Sequence, residues 1–135
     1  VSLARSQGRE NRVTSRTLTL PAPVTKNALR ALHWSSRNRI AKEWQTAIWA
    51  QVNTRPRWPR NVGPVTIDID VVWSKPGPMP DEVNLDYAIE LVCDGLVTAC
   101  VLEHDRTGIR RGALTLRRGP NARTDATVTW GDAME

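Results

Sequence analysis

The sequence predicts an α+β protein: a small mixed β-sheet with two helices packed on it, in the order β-α-β-α-β-β. Three observations carry that prediction. Short stretches alternate apolar and polar residues at period two, two longer stretches repeat apolar residues at helical spacing, and the two kinds are interleaved. At 135 residues, with 40% hydrophobic and 24% charged side chains, the chain has the size and composition of one folded domain.

Taken in order, residues 1–15 are polar, Arg-rich and aperiodic, which predicts a flexible basic arm ahead of a single domain at 16–135. Arg16–Leu20 alternates and is stopped by Pro21 and Pro23, so it reads as a short strand. Pro21–Ser35 reads as irregular. A helix is expected from Ser35 or Ser36, either of which can cap backbone N–H groups, to about Val52, with Ile40, Trp44, Ala47, Ile48 and Val52 on one stripe. The stretch 53–64 holds three prolines and three arginines and excludes a regular element. Val65–Trp73 alternates as a strand, and 74–80 is a Pro-rich loop leading to Asp81. A second helix is expected from Asn84 to Thr98, burying Leu85, Ala88, Ile89, Val92 and Leu96. The tail reads as strands at roughly 109–117 and 124–130, joined by a turn.

Charge is unevenly spread. The whole chain is +5, yet residues 1–60 hold twelve Lys or Arg against two acids, whereas residues 81–105 hold seven acids and no Lys or Arg. Arg outnumbers Lys sixteen to three. A basic chain with one acidic island suits attraction of a polyanion with a cation held beside it; it equally suits an acidic helix solvated against basic loops. Asp86, Glu90 and Asp94 are four apart and share a helix face, where like charges repel. With Asp81 before the helix and Asp105 after it, a folded-back loop would gather carboxylates fit for a hard, oxygen-loving cation such as Mg²⁺.

Arginine forks suit phosphate oxygens. The DNA-binding candidates are Arg37 and Arg39 on the first helix, Arg55, Arg57 and Arg60 in the Pro-rich loop, and Arg110, Arg111, Arg117 and Arg118 in the final strands. Trp58, within that loop, either stacks on a base or anchors the loop over the core. Trp44 and Trp73 read as core. His104 is either a ligand or a solvated loop residue, and Cys93 and Cys100 read as buried, reduced thiols. No apolar run approaches the roughly 18 residues of a membrane span or resembles a signal peptide near residue 1, which predicts a cytoplasmic location.

These residues resemble a family. LTLPAP (18–23), Asn27 with HWSSRNRIAKEW (33–44), VTIDIDVVW (65–73), DEVNL (81–85) and DGLVTACVLEHD (94–105) follow the order and spacing of the RusA-like Holliday-junction resolvases. The resemblance spans about 16–130. It implies a homodimeric Mg²⁺-dependent endodeoxyribonuclease that resolves branched DNA in recombination and repair, of the kind common in phages. It places Asp81, Asp94 and Asp105 as catalytic metal ligands and Asn84 as the residue opening the helix. Three positions depart: Val83 and His104 stand where the family has aspartates, and Glu90 where it usually has a lysine. Glu90 then serves as an extra catalytic carboxylate, or it marks a degenerate member that binds branched DNA or a host protein without cutting. Cys100–Leu102 and the apolar remainder of the second helix are candidate dimer contacts.

Overall fold

The computed structural model describes residues 13–23, 25–60, 64–102 and 109–131. Eight elements follow one another: β1 (Val13–Leu20), α1 (Lys26–Ala31), α2 (Trp34–Val52), β2 (Val65–Trp73), a 3-10 turn (Glu82–Leu85), α3 (Tyr87–Thr98), β3 (Ile109–Arg118) and β4 (Arg123–Gly131). The fold is α+β, with a four-stranded mixed sheet and helices, as expected. β1 begins at Val13, so residues 13–15 belong to the sheet and not to an arm. The rest of the expected arm lies outside the described residues.

Two local differences from the sequence reading have simple causes. The stretch that reads as irregular contains α1, where the Thr25 hydroxyl accepts the Ala28 N–H at 3.1 Å and caps a single short helix. The long helix starts earlier than expected, at Trp34, because His33 caps it through Nδ1, which accepts the Ser35 N–H at 3.2 Å. The second helix is also divided. Glu82–Leu85 forms a 3-10 turn, and the α-helix starts after Asp86.

The sheet order is β1-β4-β2-β3, with β2 and β3 parallel and the other pairs antiparallel. Parallel pairing needs a crossover, and the 3-10 turn and α3 supply it. The two tail strands, expected to be joined by a turn, do not pair with each other, because β3 and β4 lie on opposite sides of β2. Two strand spacings, about 10 Å, separate them, and residues 119–122 cover that distance by passing over the end of β2. Gly119 donates its N–H to the Trp73 carbonyl at 3.2 Å on the way, and a Cβ there would sit 2.7 Å from Val72. Only glycine passes so close.

Alternation places Leu18, Leu20, Val65, Ile67, Ile69, Val71, Ala126 and Val128 in one buried cluster with Trp44, Ile48 and Val52 of α2 and Leu85, Ala88, Val92 and Leu96 of the acidic segment. The alternate strand residues pair among themselves: Thr17 with Thr127 at 3.0 Å, Ser15 with Thr129 at 2.9 Å. The β2–β3 register slips by one residue between Ile67 and Ile69. Asp68 lies opposite that bulge, formed by Gly112 and Ala113 of β3, its Oδ1 accepting the Ala113 N–H at 2.7 Å. A Cβ at Gly112 would collide with the same carboxylate. Val101 and Leu102 are buried, so they belong to the core and offer no free dimer contact; Cys93 is buried, whereas Cys100 is exposed at φ 64°. Among the described residues, no helix is long and apolar enough to cross a membrane.

Candidate functional site

The loop 74–80 carries the chain from the end of β2 to Asp81. Its residues are exposed up to Met79, so its shape comes from hydrogen bonds. Arg118, at the end of β3, donates to the Lys75 carbonyl at 2.9 Å and to the Gly77 carbonyl. Gly77 adopts φ 92°, a left-handed conformation that favours glycine. The Lys75 ammonium lies 5.7 Å from the centre of the Trp73 ring. Arg118 therefore spends two of its donors on the loop that presents Asp81.

Asp81 is extended and exposed at the mouth of the 3-10 turn, and its carbonyl accepts the Asn84 N–H at 3.0 Å. Asn84 thus sits inside that turn and does not cap a helix. Val83 beside it is 72% exposed, an apolar side chain held in water next to the acids. Asp86 precedes α3 with helical dihedrals, so Asp86, Glu90 and Asp94 keep the four-residue stagger read from sequence; Glu90 and Asp94 are exposed. Tyr87, Ala88, Val92 and Leu96 point the other way, into the core.

Arg111 reaches this acidic stripe from β3. Its Nη1 lies 2.5 Å from Asp86 Oδ1, with about half of the Arg111 side chain in solvent. The hydrogen bond to Asp86 raises the guanidinium above its ordinary pKa, partial burial opposes this, and the charges of Asp86 and Glu90 add to the rise. Among the described hydrogen bonds of the nine candidate arginines, that of Arg111 is the one made to an acidic side chain of this segment.

The donor set consists of hard carboxylate oxygens, which suits Mg²⁺ in type. Asp81 and Asp94 lie on the exposed side of the segment. Among the described residues, no three His, Cys, Asp or Glu side chains gather as a metal site. Asp105 and His104 lie outside the described residues.

The other arginines divide by what they touch. Arg37, Arg39, Arg55, Arg57 and Arg110 are exposed, and among the described residues none makes an ion pair. Arg117 lies 3.3 Å from Asp70, which also accepts the Thr115 hydroxyl at 2.7 Å. Arg60 donates to the Ala99 carbonyl and, at 2.7 Å, to Asn53 Oδ1, joining the C-terminal ends of α2 and α3. Trp58 is 6% exposed and packs on Trp130 with ring centres 5.8 Å apart. Of its two readings, the anchor is the one the packing fits. The sequence reading misses Trp34 and Trp49, which are 61% and 58% exposed on α2. Helical spacing holds the signal, since neither falls on the Trp44–Ile48–Val52 stripe.

No protein-family model matches the chain, and no curated protein matches it.

Proposed function

We propose that this chain is a Mg²⁺-dependent, structure-selective endodeoxyribonuclease acting on branched DNA, a RusA-like junction resolvase that works as a cytoplasmic homodimer in recombination and repair. The observation that carries the reading is the presentation of Asp81. A loop fastened by Arg118 delivers it to an acidic turn and helix whose carboxylates face outward beside Arg111, on a chain that is otherwise basic.

Asp81 and Asp94 are the described residues that would hold the metal, with Asp105 as the third ligand by resemblance. Bound there, Mg²⁺ would activate water and stabilise the departing 3′-oxygen. The chain's own contribution is charge and position. Arg111 uses Nη1 on Asp86 and stays half exposed, so the guanidinium can also donate to a phosphate oxygen. The exposed Arg37, Arg39, Arg55, Arg57 and Arg110 supply grip on the backbone, which reads shape and not sequence.

The test is direct. Purified protein should cut a synthetic four-way junction in Mg²⁺, and Asp81→Asn should abolish cutting while preserving or tightening binding, because it removes negative charge facing phosphate. Junctions left intact after prolonged incubation in either Mg²⁺ or Mn²⁺ would reject the reading.

One observation favours a second reading, a binding protein that does not cut. The Asp86 carboxylate is ion-paired to Arg111, and Glu90 adds its charge to the same guanidinium, so part of the acidic stripe is neutralised from within the protein. The ligand would then be branched DNA or a host protein docked on the acidic face. Calorimetry separates the two readings: the nuclease takes up Mg²⁺ at millimolar concentration through Asp81, and the degenerate member does not. Cleavage gained by Glu90→Lys would mark the degenerate state.

A further inference from the structure

The long helix α2 extends well past the helix it packs on. Trp44 meets Tyr87 near the start of α3, with ring centres 6.3 Å apart, and four residues later Ile48 lies against Gly95. Arg60 then ties both C-terminal ends together. The two helices therefore run in the same sense, and their N-terminal ends lie at one end of the molecule. Trp34 stands ten residues before Trp44, which at 1.5 Å per residue places it about 15 Å further out. α1, immediately before it in the chain, packs on the Glu82–Leu85 turn. The first turns of α2, ahead of Ile40, which packs against the core, thus project as an arm from the end that carries Asp81 and Asp86.

That arm ends in an indole that is 61% exposed. The neighbouring His33 ring sits 5.6 Å away and caps the helix through Nδ1, which steadies the backbone under the indole. Asn38 and Lys42 follow on the same side of the helix, Arg37 and Arg39 flank them, and Glu43 is the single acid between Trp34 and Val52. A groove of about 530 Å³ runs along this surface, lined among others by Trp34, Asn38, Arg39 and Lys42, with the Glu43 carboxylate at its far end from Trp34 beside Thr46. Trp49 has nearly the same exposure but no basic residue within a turn of it. A large flat apolar ring in water is common enough; one framed by three cations suits an apolar, π-faced ligand that carries negative charge on both sides. A nucleobase within a DNA strand has that chemistry.

We propose that Trp34 is a stacking platform for a base unpaired at the branch point of the DNA, with Arg37, Arg39 and Lys42 neutralising the flanking phosphates. This rests on the branched-DNA reading above and deepens it by naming where an opened base goes. Stacking and phosphate contacts leave different signatures, because only the second releases counterions.

The experiment measures binding of a labelled four-way junction at two salt concentrations, together with quenching of a 2-aminopurine placed at its branch point. Trp34→Ala should weaken binding roughly 5- to 100-fold with the salt slope unchanged and should abolish the quenching. Trp34→Phe should keep most of both, and Trp49→Ala should match wild type. Arg37→Ala with Arg39→Ala should instead flatten the slope by about 2. Wild-type affinity and quenching in Trp34→Ala would overturn the proposal, as would conversion of dimer to monomer in sedimentation, since the ring would then be an interface between copies. Trp34-dependent binding without any cleavage would defeat the nuclease reading alone.

Discussion

Two proline-rich loops, 53–60 and 74–80, have opposite relations to the core. The first follows α2 and turns back onto it. The Trp58 N–H bonds the Val52 carbonyl at 3.0 Å, its ring is buried against Trp130, and Arg16 lies 5.9 Å from the ring centre while donating to the Pro56 carbonyl at 2.9 Å. The second follows β2 and stays in water, held by Arg118 and by Lys75 over Trp73. One loop is fixed by hydrophobic burial, the other by hydrogen bonds at the surface. The difference lies in a single aromatic residue that reaches the core. It means that the loop next to the acidic segment should tolerate substitution throughout, whereas the arginine-rich loop should tolerate it everywhere but at Trp58.

The largest test of that contrast is Trp58→Ala. Removing a buried indole costs about 3–5 kcal/mol through the loss of burial and the cavity left behind, which for a domain of this size is on the order of a 10–20 °C fall in melting temperature. Thermal denaturation followed by circular dichroism measures it. An unchanged melting point would mean that the loop is not seated on the core.

Arg118→Ala should behave differently. Its fork serves exposed carbonyls, so stability should fall by only about 1 kcal/mol. Asp81 loses the fastening of its loop, however, and junction cleavage at limiting Mg²⁺ should drop at least tenfold while junction affinity stays within twofold. If affinity falls and the cleavage rate at saturation does not, Arg118 is a DNA ligand after all.

Much of this arrangement is legible from residue pattern alone, and the misses share a cause. Strands β1 and β2 and helix α2 announce themselves because burial on one face imposes a period, as Val65, Ile67, Ile69 and Val71 show. α1 has six residues, too few for a period, and depends on one hydroxyl of Thr25. The β3–β4 connection reads only as a turn, because a turn between two strands looks alike whether they pair or straddle a third; the clue is Gly119, whose close pass over Val72 no local rule reveals. The acidic stripe is visible as spacing, but its cation, Arg111, comes from 25 residues after Asp86. Likewise, nothing local to Arg60 says that it closes the ends of two helices. Long-range partners are written in the fold and not in the neighbourhood of the residue.

Arg60 and its neighbours supply the smallest and most discriminating test, because three arginines of one loop should separate into two kinds. Arg60 bonds the Ala99 carbonyl and Asn53, so Arg60→Ala leaves those acceptors to water and should cost about 1 kcal/mol of stability. It should leave the salt dependence of DNA binding unchanged. Arg55 and Arg57 are exposed, so replacing both with Ala should leave the melting temperature within a degree or two. Every phosphate that goes unneutralised in the variant takes about 0.9 off the slope of log affinity against log salt, and the pair should flatten it by about 2. The fall in affinity should also be alike for every DNA sequence tested, because binding to the backbone carries no base information. Salt titrations of the single and double variants, set beside their melting curves, resolve the two kinds. Should Arg60→Ala flatten the slope as Arg55→Ala and Arg57→Ala do, its helix-closing bonds would be incidental and the whole loop would face DNA.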